Sequence, residues 1–295
     1  MRTDKKIVAL GFFDGVHLGH QALLKECRVL AAQKDCQPAA LTFDRHPQSL
    51  FTENPPALLT TGTDRQMLLR RYGMESIFML PVTEQTMSMP WQAFVQELMD
   101  WGAVGFVCGT DFRFGHRGEG NAEKLLRFCV EGNMPCVIVP EQRLDDVRIS
   151  STHIRGLLEQ GHMETATKYL GHPHVLTGEV VSGRKLGSKL GFPTANIQIP
   201  EGVACPRHGV YACKAWVDGE SHIAVTNVGS RPTVNGHQVR AESWLLDFEA
   251  DLYGKSVTLE FFRFLRPEQK FDSLEQLKQA VLADSVETRN YFQNN

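Results

Sequence analysis

Two histidines three residues apart, His17 and His20, stand in the string ALGFFDGVHLGHQALL (9–24), where an apolar run gives way to a helical pattern. A strand that runs into a helix leaves the first backbone N–H groups of the helix unpaired. The helix dipole adds partial positive charge there, so the position suits an anion. Gly11 and Gly15 let the backbone approach such a ligand, and two rings spaced by three share a helix face and can reach the same phosphates. Taken alone, the pair fits an N-terminal cap plus a half-buried ring equally well, and a metal site less well because no third ligand stands nearby.

A second constellation is GRKLGSKLGFPTAN (183–196). Gly183, Gly187 and Gly191 would let a loop fold over phosphates, and Arg184, Lys185 and Lys189 bring positive charge. Thr194 and Asn196, just after Pro193, offer two neutral oxygens to one hard cation, for which Mg²⁺ with ATP is the natural occupant. Read bare, a basic Gly-rich loop is also an ordinary turn, and the spacing is neither a Walker A loop nor a protein-kinase loop. In RISSTHIR (148–155) the hydroxyls of Ser150, Ser151 and Thr152 open a helical pattern and could cap it, while Arg148 and Arg155 suit a clamp on a triphosphate.

The elements that must hold these residues fall into two textures. Apolar runs at KIVAL, PAALTF, SIFML, VGFVCG and PCVIVP alternate with helical patterns at 18–34, DRQMLLRRY, WQAFVQELMDW and AEKLLRFCVEG. That alternation predicts an α/β unit, a parallel sheet covered on both faces. Ligands of such sheets bind beyond the carboxyl ends of the strands, where Asp44 and His46 end the second strand. Near Gly171 the pattern changes to β-branched and aromatic runs separated by Gly, Pro, Asp and Asn, which predicts an antiparallel sheet or small barrel. A closing amphipathic helix follows, with Ser273 at its N-cap. The expected domains are 1–171 and 172–295.

A length of 295 residues suits two cores, and 42% hydrophobic with 22% charged residues describes a globular chain. A net charge of −3 with scattered Lys and Arg argues against nucleic acid or an acidic membrane surface as partner and leaves room for a small cationic pocket. Seven cysteines, an odd number with no Cys-x-x-Cys pair, point to reduced interior thiols. With neither a signal peptide nor a spanning stretch in view, the expected location is cytoplasmic. The expected oligomeric state is a monomer or a weak self-associate.

The string from Gly11 through Phe13, Asp14, Gly15 and His17 to His20 resembles the Gly-x-Phe-Asp-Gly-Val-His-x-Gly-His signature of bacterial FAD synthetases, a branch of the nucleotidylyltransferases. TFDRHP (42–47), GTDFRFG (109–115, with Asp111 and Phe112) and RISSTHIR follow in the order that family has them. The glycine loop with its Pro-Thr-Ala-Asn end is similar to that of riboflavin kinases. HGVYA (208–212, with Tyr211), NVGSRPT (227–233, with Asn227) and ESWLLDFEADLYG (242–254) continue that likeness. Ser188 stands where that family commonly has Arg, and Glu249-Ala250 where it has Asp-Gly.

The resemblance implies a Rossmann-like nucleotidylyltransferase domain followed by an antiparallel riboflavin-kinase barrel. The barrel would make FMN from riboflavin and ATP; the first domain would join FMN to the adenylyl group of a second ATP, giving FAD and pyrophosphate. Under it Glu242 is the general base of the kinase, Thr194 and Asn196 hold Mg²⁺, and His17, His20, Arg148 and Arg155 neutralise the triphosphate. Asp111 and Phe112 lie near flavin or nucleotide, and Asp247, Glu249 and Asp251 are polar turn residues. The alternatives are an enzyme with one active half and a flavin-sensing regulator; the presence of Thr194, Asn196 and Glu242 speaks against the regulator.

Overall fold

The structure is a computed structural model that describes residues 4–181, 192–233 and 236–294, side chains at 231–237 excepted. The chain forms two compact units, one of residues 1–58 and 62–151 and a second of 59–61 and 152–295.

In the first unit, β1 (Lys6–Leu10), β2 (Gln37–Phe43), β3 (Ser76–Leu80), β4 (Ala103–Gly109) and β7 (Cys136–Val139) form one sheet in the order β3-β2-β1-β4-β7. All neighbours run parallel. Ile7, Val8, Ala9 and Leu10 are wholly buried, the signature of a central strand covered on both faces. The covering helices are α1 (Leu18–Gln33), α2 (Gly62–Arg71), the short α3 (Glu84–Met87), α4 (Trp91–Asp100) and α5 (Ala122–Glu131). Leu24, Cys27, Leu30 and Ala31 recur at helical spacing along α1 and are its buried residues. Leu10, Leu41, Phe94, Phe106 and Leu125 belong to the core that the sheet shares with α4 and α5. Two hairpins absent from the sequence expectation, β5 (Arg113–Phe114) with β6 (Gly120–Asn121) and β8 (Arg143–Leu144) with β9 (Val147–Arg148), decorate the loops after β4 and β7. Two-residue strands carry too little periodicity to be read in advance.

Residues 152–160 of α6 (Ser151–Gln160) and all of α7 (Met163–Leu170) belong to the second unit, where α7 packs on β10 and β15 of the barrel. The two helices are separated at Gly161, whose φ of +80° lies in the left-handed region. Strands β10 (His174–Val181), β11 (Thr194–Gln198), β12 (Gly209–Val217), β13 (Glu220–Thr233), β14 (Gly236–Leu245) and β15 (Ser256–Arg266) close a barrel in the order β10-β11-β14-β13-β12-β15. The strand β11 is a departure from expectation: its first three residues, Thr194–Asn196, are the end of the motif the sequence suggested was a loop. The last helix, α8 (Leu274–Asn294), has the expected cap, the Gln276 N–H donating to Ser273 Oγ at 3.2 Å. A bidentate pair fixes α8 to β15: Arg266 Nε and Nη2 meet the two oxygens of buried Asp284 at 2.9 and 2.7 Å. All seven cysteines are free thiols, five buried and two half-buried, and burial pushes Cys27 and Cys213 up to about 12.

Candidate functional site

In the first unit the chain leaves β1 and builds β2 and β3 to one side, then β4 and β7 to the other, so the topological switch lies between β1 and β4. Open α/β sheets leave their binding crevice at that point. The segment Gly11–His17 leaves β1 there, Asp111 follows β4, and Asp44 and His46 follow β2 next door. The turn is strained. Phe13 and Val16 have φ of 57° and 40°, conformations that cost a residue with Cβ on the order of 1 kcal/mol or more, and Gly15 takes 78° without that cost. Phe13 is wholly buried, its ring folded back against the position a Gly11 Cβ would occupy, 3.0 Å away. Phe13 is therefore a packing residue of the turn and offers no surface to a ligand.

His17 caps α1: its Nδ1 accepts the His20 backbone N–H at 3.3 Å. A ring nitrogen that accepts carries no proton, so the neutral His17 ring carries its proton on Nε2. The two rings stack at 3.7 Å between centroids and 11° between planes. Burial first, then His17, then Arg65 hold His20 well below its usual 6.5, so it is a neutral imidazole at physiological pH. The cap and the stacked pair of rings are thus one arrangement.

Other expected residues are placed as follows. Ser151, the last residue of the first unit, donates its Oγ to the Asp14 carbonyl at 3.0 Å, with half-buried Ser150 just before it. Arg148 is not a free cation: Nη2 meets Asp111 Oδ2 at 2.5 Å and Nε meets Glu141 Oε2 at 2.9 Å. Two carboxylates neutralise it, and a triphosphate would have to displace them. Asp44 caps the loop after β3, its Oδ1 accepting the Val82 N–H at 2.8 Å, and His46 Nδ1 accepts the Gln48 N–H at 3.1 Å. Phe112 stacks on Phe114 at 5.4 Å between centroids. In the second unit Thr152 Oγ1 accepts from Arg155 Nη2 at 3.0 Å.

The barrel brings its residues together by register. Asn196 on β11 lies opposite Glu242 on β14, which lies opposite Asn227 on β13, one row across three strands. Facing residues of antiparallel strands project to the same side, and Thr194, two positions before Asn196, shares it. The next row inward carries Thr226 and Ser243, both wholly buried with their hydroxyls 2.8 Å apart. Asn196 is itself buried; its Nδ2 donates to the Thr194 carbonyl at 3.4 Å, while its Oδ1 has no hydrogen-bond partner among the described residues. A buried acceptor left unpaired costs about 1–3 kcal/mol, so that oxygen is poised for a donor or a cation.

Tyr211 is a correction. It pairs with Thr226 on the inward side of the sheet, is wholly buried, packs edge-on to Phe261 and Phe264, and donates its hydroxyl to the Arg207 carbonyl. It is a core residue, not a ligand contact. Gly183, Gly187 and Gly191, with Arg184, Lys185, Ser188 and Lys189, lie outside the described residues.

A cavity of about 220 Å³ beside this row went unforeseen; Pro193, Thr194, Phe248, Glu249, Asp251 and Tyr253 are among its lining. The aromatic residues flanking two carboxylates in DFEADLYG were the available signal; Asp247 pairs bidentately with Arg289 at 2.8 and 2.9 Å, and Asp251 Oδ1 accepts the Tyr253 N–H at 3.0 Å within the turn.

The FAD synthetase family profile matches residues 1–153 and the riboflavin kinase profile residues 170–292. The bifunctional riboflavin kinase/FMN adenylyltransferase of Listeria monocytogenes is 37% identical over 98% of this chain and 94% of that protein. Its Haemophilus influenzae counterpart is 36% identical over 97% and 94%. A crystal structure described as a macrolide-efflux protein from Streptococcus pneumoniae has a TM-score of 0.85 at 30% identity, covering 98% of this chain and 95% of that one. That description names transport; among the described residues here no helix is long and apolar enough to cross a membrane. With motifs, fold and full-length relatives in agreement, the chain belongs to the bifunctional riboflavin kinase/FMN adenylyltransferase family.

Proposed function

We propose that the chain phosphorylates riboflavin to FMN in residues 172–295 and adenylylates FMN to FAD in residues 1–171, each step consuming one ATP. The observation that carries this reading is convergence. Motif residues scattered along the sequence meet at two places, a switch-point turn with a helix N-terminus and an in-register row on the barrel, each suited to phosphoryl chemistry.

In the barrel, Glu242 takes the proton of the riboflavin 5′-hydroxyl as that oxygen attacks the γ-phosphorus of ATP and the bond to the β-phosphate oxygen breaks, releasing ADP. Asn227, opposite Glu242, orients the polyol. The orphaned Asn196 Oδ1 and the neighbouring Thr194 hydroxyl fit a hard cation, and we assign Mg²⁺ to them. The ion would neutralise phosphate charge. The adjoining cavity, with Pro193, Phe248 and Tyr253, takes the nucleotide, and Gly183, Gly187 and Gly191 are assigned to its phosphates by their motif.

In the sheet unit, a phosphate oxygen of FMN attacks the α-phosphorus of ATP in line and pyrophosphate leaves; no covalent enzyme intermediate is required. His17 donates from Nε2, neutral His20 supports it by stacking, and the α1 N–H groups with Gly11 and Gly15 receive phosphate oxygens. Arg148 exchanges its carboxylates for the triphosphate. Ser150, Ser151, Thr152 and Arg155 are assigned to nucleotide binding by the motif they share, and Asp14, Asp44, His46, Asp111 and Phe112 to the walls of the crevice. We read the enzyme as cytoplasmic, a monomer or weak self-associate, with small-molecule substrates and no nucleic-acid partner.

The test is a time course of purified protein with riboflavin, ATP and Mg²⁺, separating flavins by chromatography. FMN first and FAD after it is the expected result. FMN alone would reopen the acceptor of the sheet unit, and no conversion with flavin still bound would favour a sensor.

A further inference from the structure

Arg65, on α2, has no exposed surface. Taking a guanidinium out of water costs several kcal/mol unless its donors are met, on the order given by ion desolvation in proteins. Here only Nη1 bonds: to the carbonyls of Phe12 and Phe43 at 3.2 and 2.9 Å and to Thr42 Oγ1 at 3.2 Å. Nε and Nη2 have no hydrogen-bond partner among the described residues. The guanidinium carbon lies 4.5 Å from the centroid of the Phe12 ring, and that ring meets His46 edge-on at 5.2 Å. Thr42 Oγ1 donates to the same Phe12 carbonyl at 2.6 Å, so this one oxygen receives two donors.

The Phe12 carbonyl belongs to the peptide that leads into the left-handed Phe13. Strained backbone persists only where the surroundings over-determine it. An apolar side chain of similar volume would fill the space under β1 and β2 at lower desolvation cost, so burial alone does not explain a cation here. We propose that Arg65 is a positioning residue for adenylyl transfer: it joins the ends of β1 and β2 beneath the Phe13–Val16 turn and, through the Phe12 ring, sets His46. The inference rests on reading that turn as the adenylyl-transfer site.

Full-length Arg65→Met and Arg65→Lys are assayed for FAD from supplied FMN and for FMN from riboflavin, the second reaction serving as a control on the same chain. Arg65→Met lowers kcat for FAD by roughly a hundredfold, the cost of misplacing reacting groups by about an ångström. KM for ATP moves far less, and FMN formation stays at the wild-type rate. Arg65→Lys keeps the charge without the planar group over the Phe12 ring and falls between the two. FAD formation by Arg65→Met at the wild-type kcat overturns the proposal. If Arg65→Met also loses FMN formation, the chain has not folded and Phe12→Leu decides: it must lose FAD formation selectively, and a wild-type rate overturns the proposal as well. His20→Ala separates the two layers of the argument. FAD formation retained in His20→Ala removes the reading of the turn, whereas loss there with an active Arg65→Met removes only the role of Arg65.

Discussion

The two sites are made differently. In the sheet unit the candidate groups ride on a turn whose backbone is left-handed at Phe13, Gly15 and Val16, held by a buried guanidinium and capped by His17. In the barrel, Asn196, Glu242 and Asn227 are placed by strand register, on backbone that adopts ordinary extended geometry. A turn owes its shape to backbone conformation and to what lies beneath it. A cross-strand row owes its shape to ladders that a single side chain does not disturb. The barrel site should therefore fail through chemistry with its geometry intact, and the turn site through geometry as readily as through chemistry.

The largest expected effect tests the barrel. Glu242→Gln preserves shape and removes the base, so FMN formation falls by about 10²–10⁴, the range for a positioned general base. FAD formation from supplied FMN is unchanged; a wild-type rate of FMN formation in this variant would remove Glu242 from the mechanism. Thr194→Ala sharpens the same point, losing FMN formation and sparing FAD formation. Next comes the turn, where His17→Ala removes both a phosphate donor and the α1 cap. FAD formation drops by about 10²–10³, as for loss of one preorganised donor, with FMN formation intact. Equal loss of both activities would mean the two sites are not independent.

A smaller effect isolates backbone from chemistry. Gly15→Ala adds one methyl to a residue at φ 78°, a conformation costing a non-glycine residue about 1–2 kcal/mol. Steady-state kinetics should show FAD formation reduced roughly tenfold and FMN formation unchanged. If Gly15→Ala is silent, the turn tolerates strain and the contrast drawn between the two sites does not hold.

The parts legible in the sequence were those with a strong period or a motif. The run KIVAL became the central buried strand, the 18–34 pattern became α1, and the change of texture near Gly171 became the barrel. Glu242, Asn196 and Asn227 were named from separate motifs along the chain, and only strand pairing could reveal that they share a row. What stayed hidden was set by tertiary environment. Tyr211 stands in a motif, but strand alternation turns it inward to pack with Phe261. Arg148 looks like a free cation until Asp111 arrives from the loop after β4 and Glu141 from its own loop after β7. Arg65 sits in DRQMLLRR like any surface arginine, and nothing in its spacing says that α2 points it under two strand ends.

Acid sharpens the comparison last, through one histidine in each unit. His174 on β10 is buried, and burial, then His172, push it down to about 3; His20 is also held well below 6.5. Between these values and 6.5 the unfolded chain binds protons that the folded chain refuses. Folding free energy therefore falls as pH drops below about 6.5, by roughly 1.4 kcal/mol per pH unit for each such histidine, and for His174 the loss levels off near its folded value. Above 6.5 both rings are neutral in either state and contribute no slope. Urea unfolding at pH 7, 6 and 5 should show His174→Gln flattening the acid slope of the transition that reports the barrel while leaving the rest of the chain's slope in place. An unchanged barrel slope would mean that His174 takes its proton in the folded state after all. In that case the acid sensitivity would belong to the turn site alone, where protonating His20 would also put a charge against the Arg65 that holds the turn.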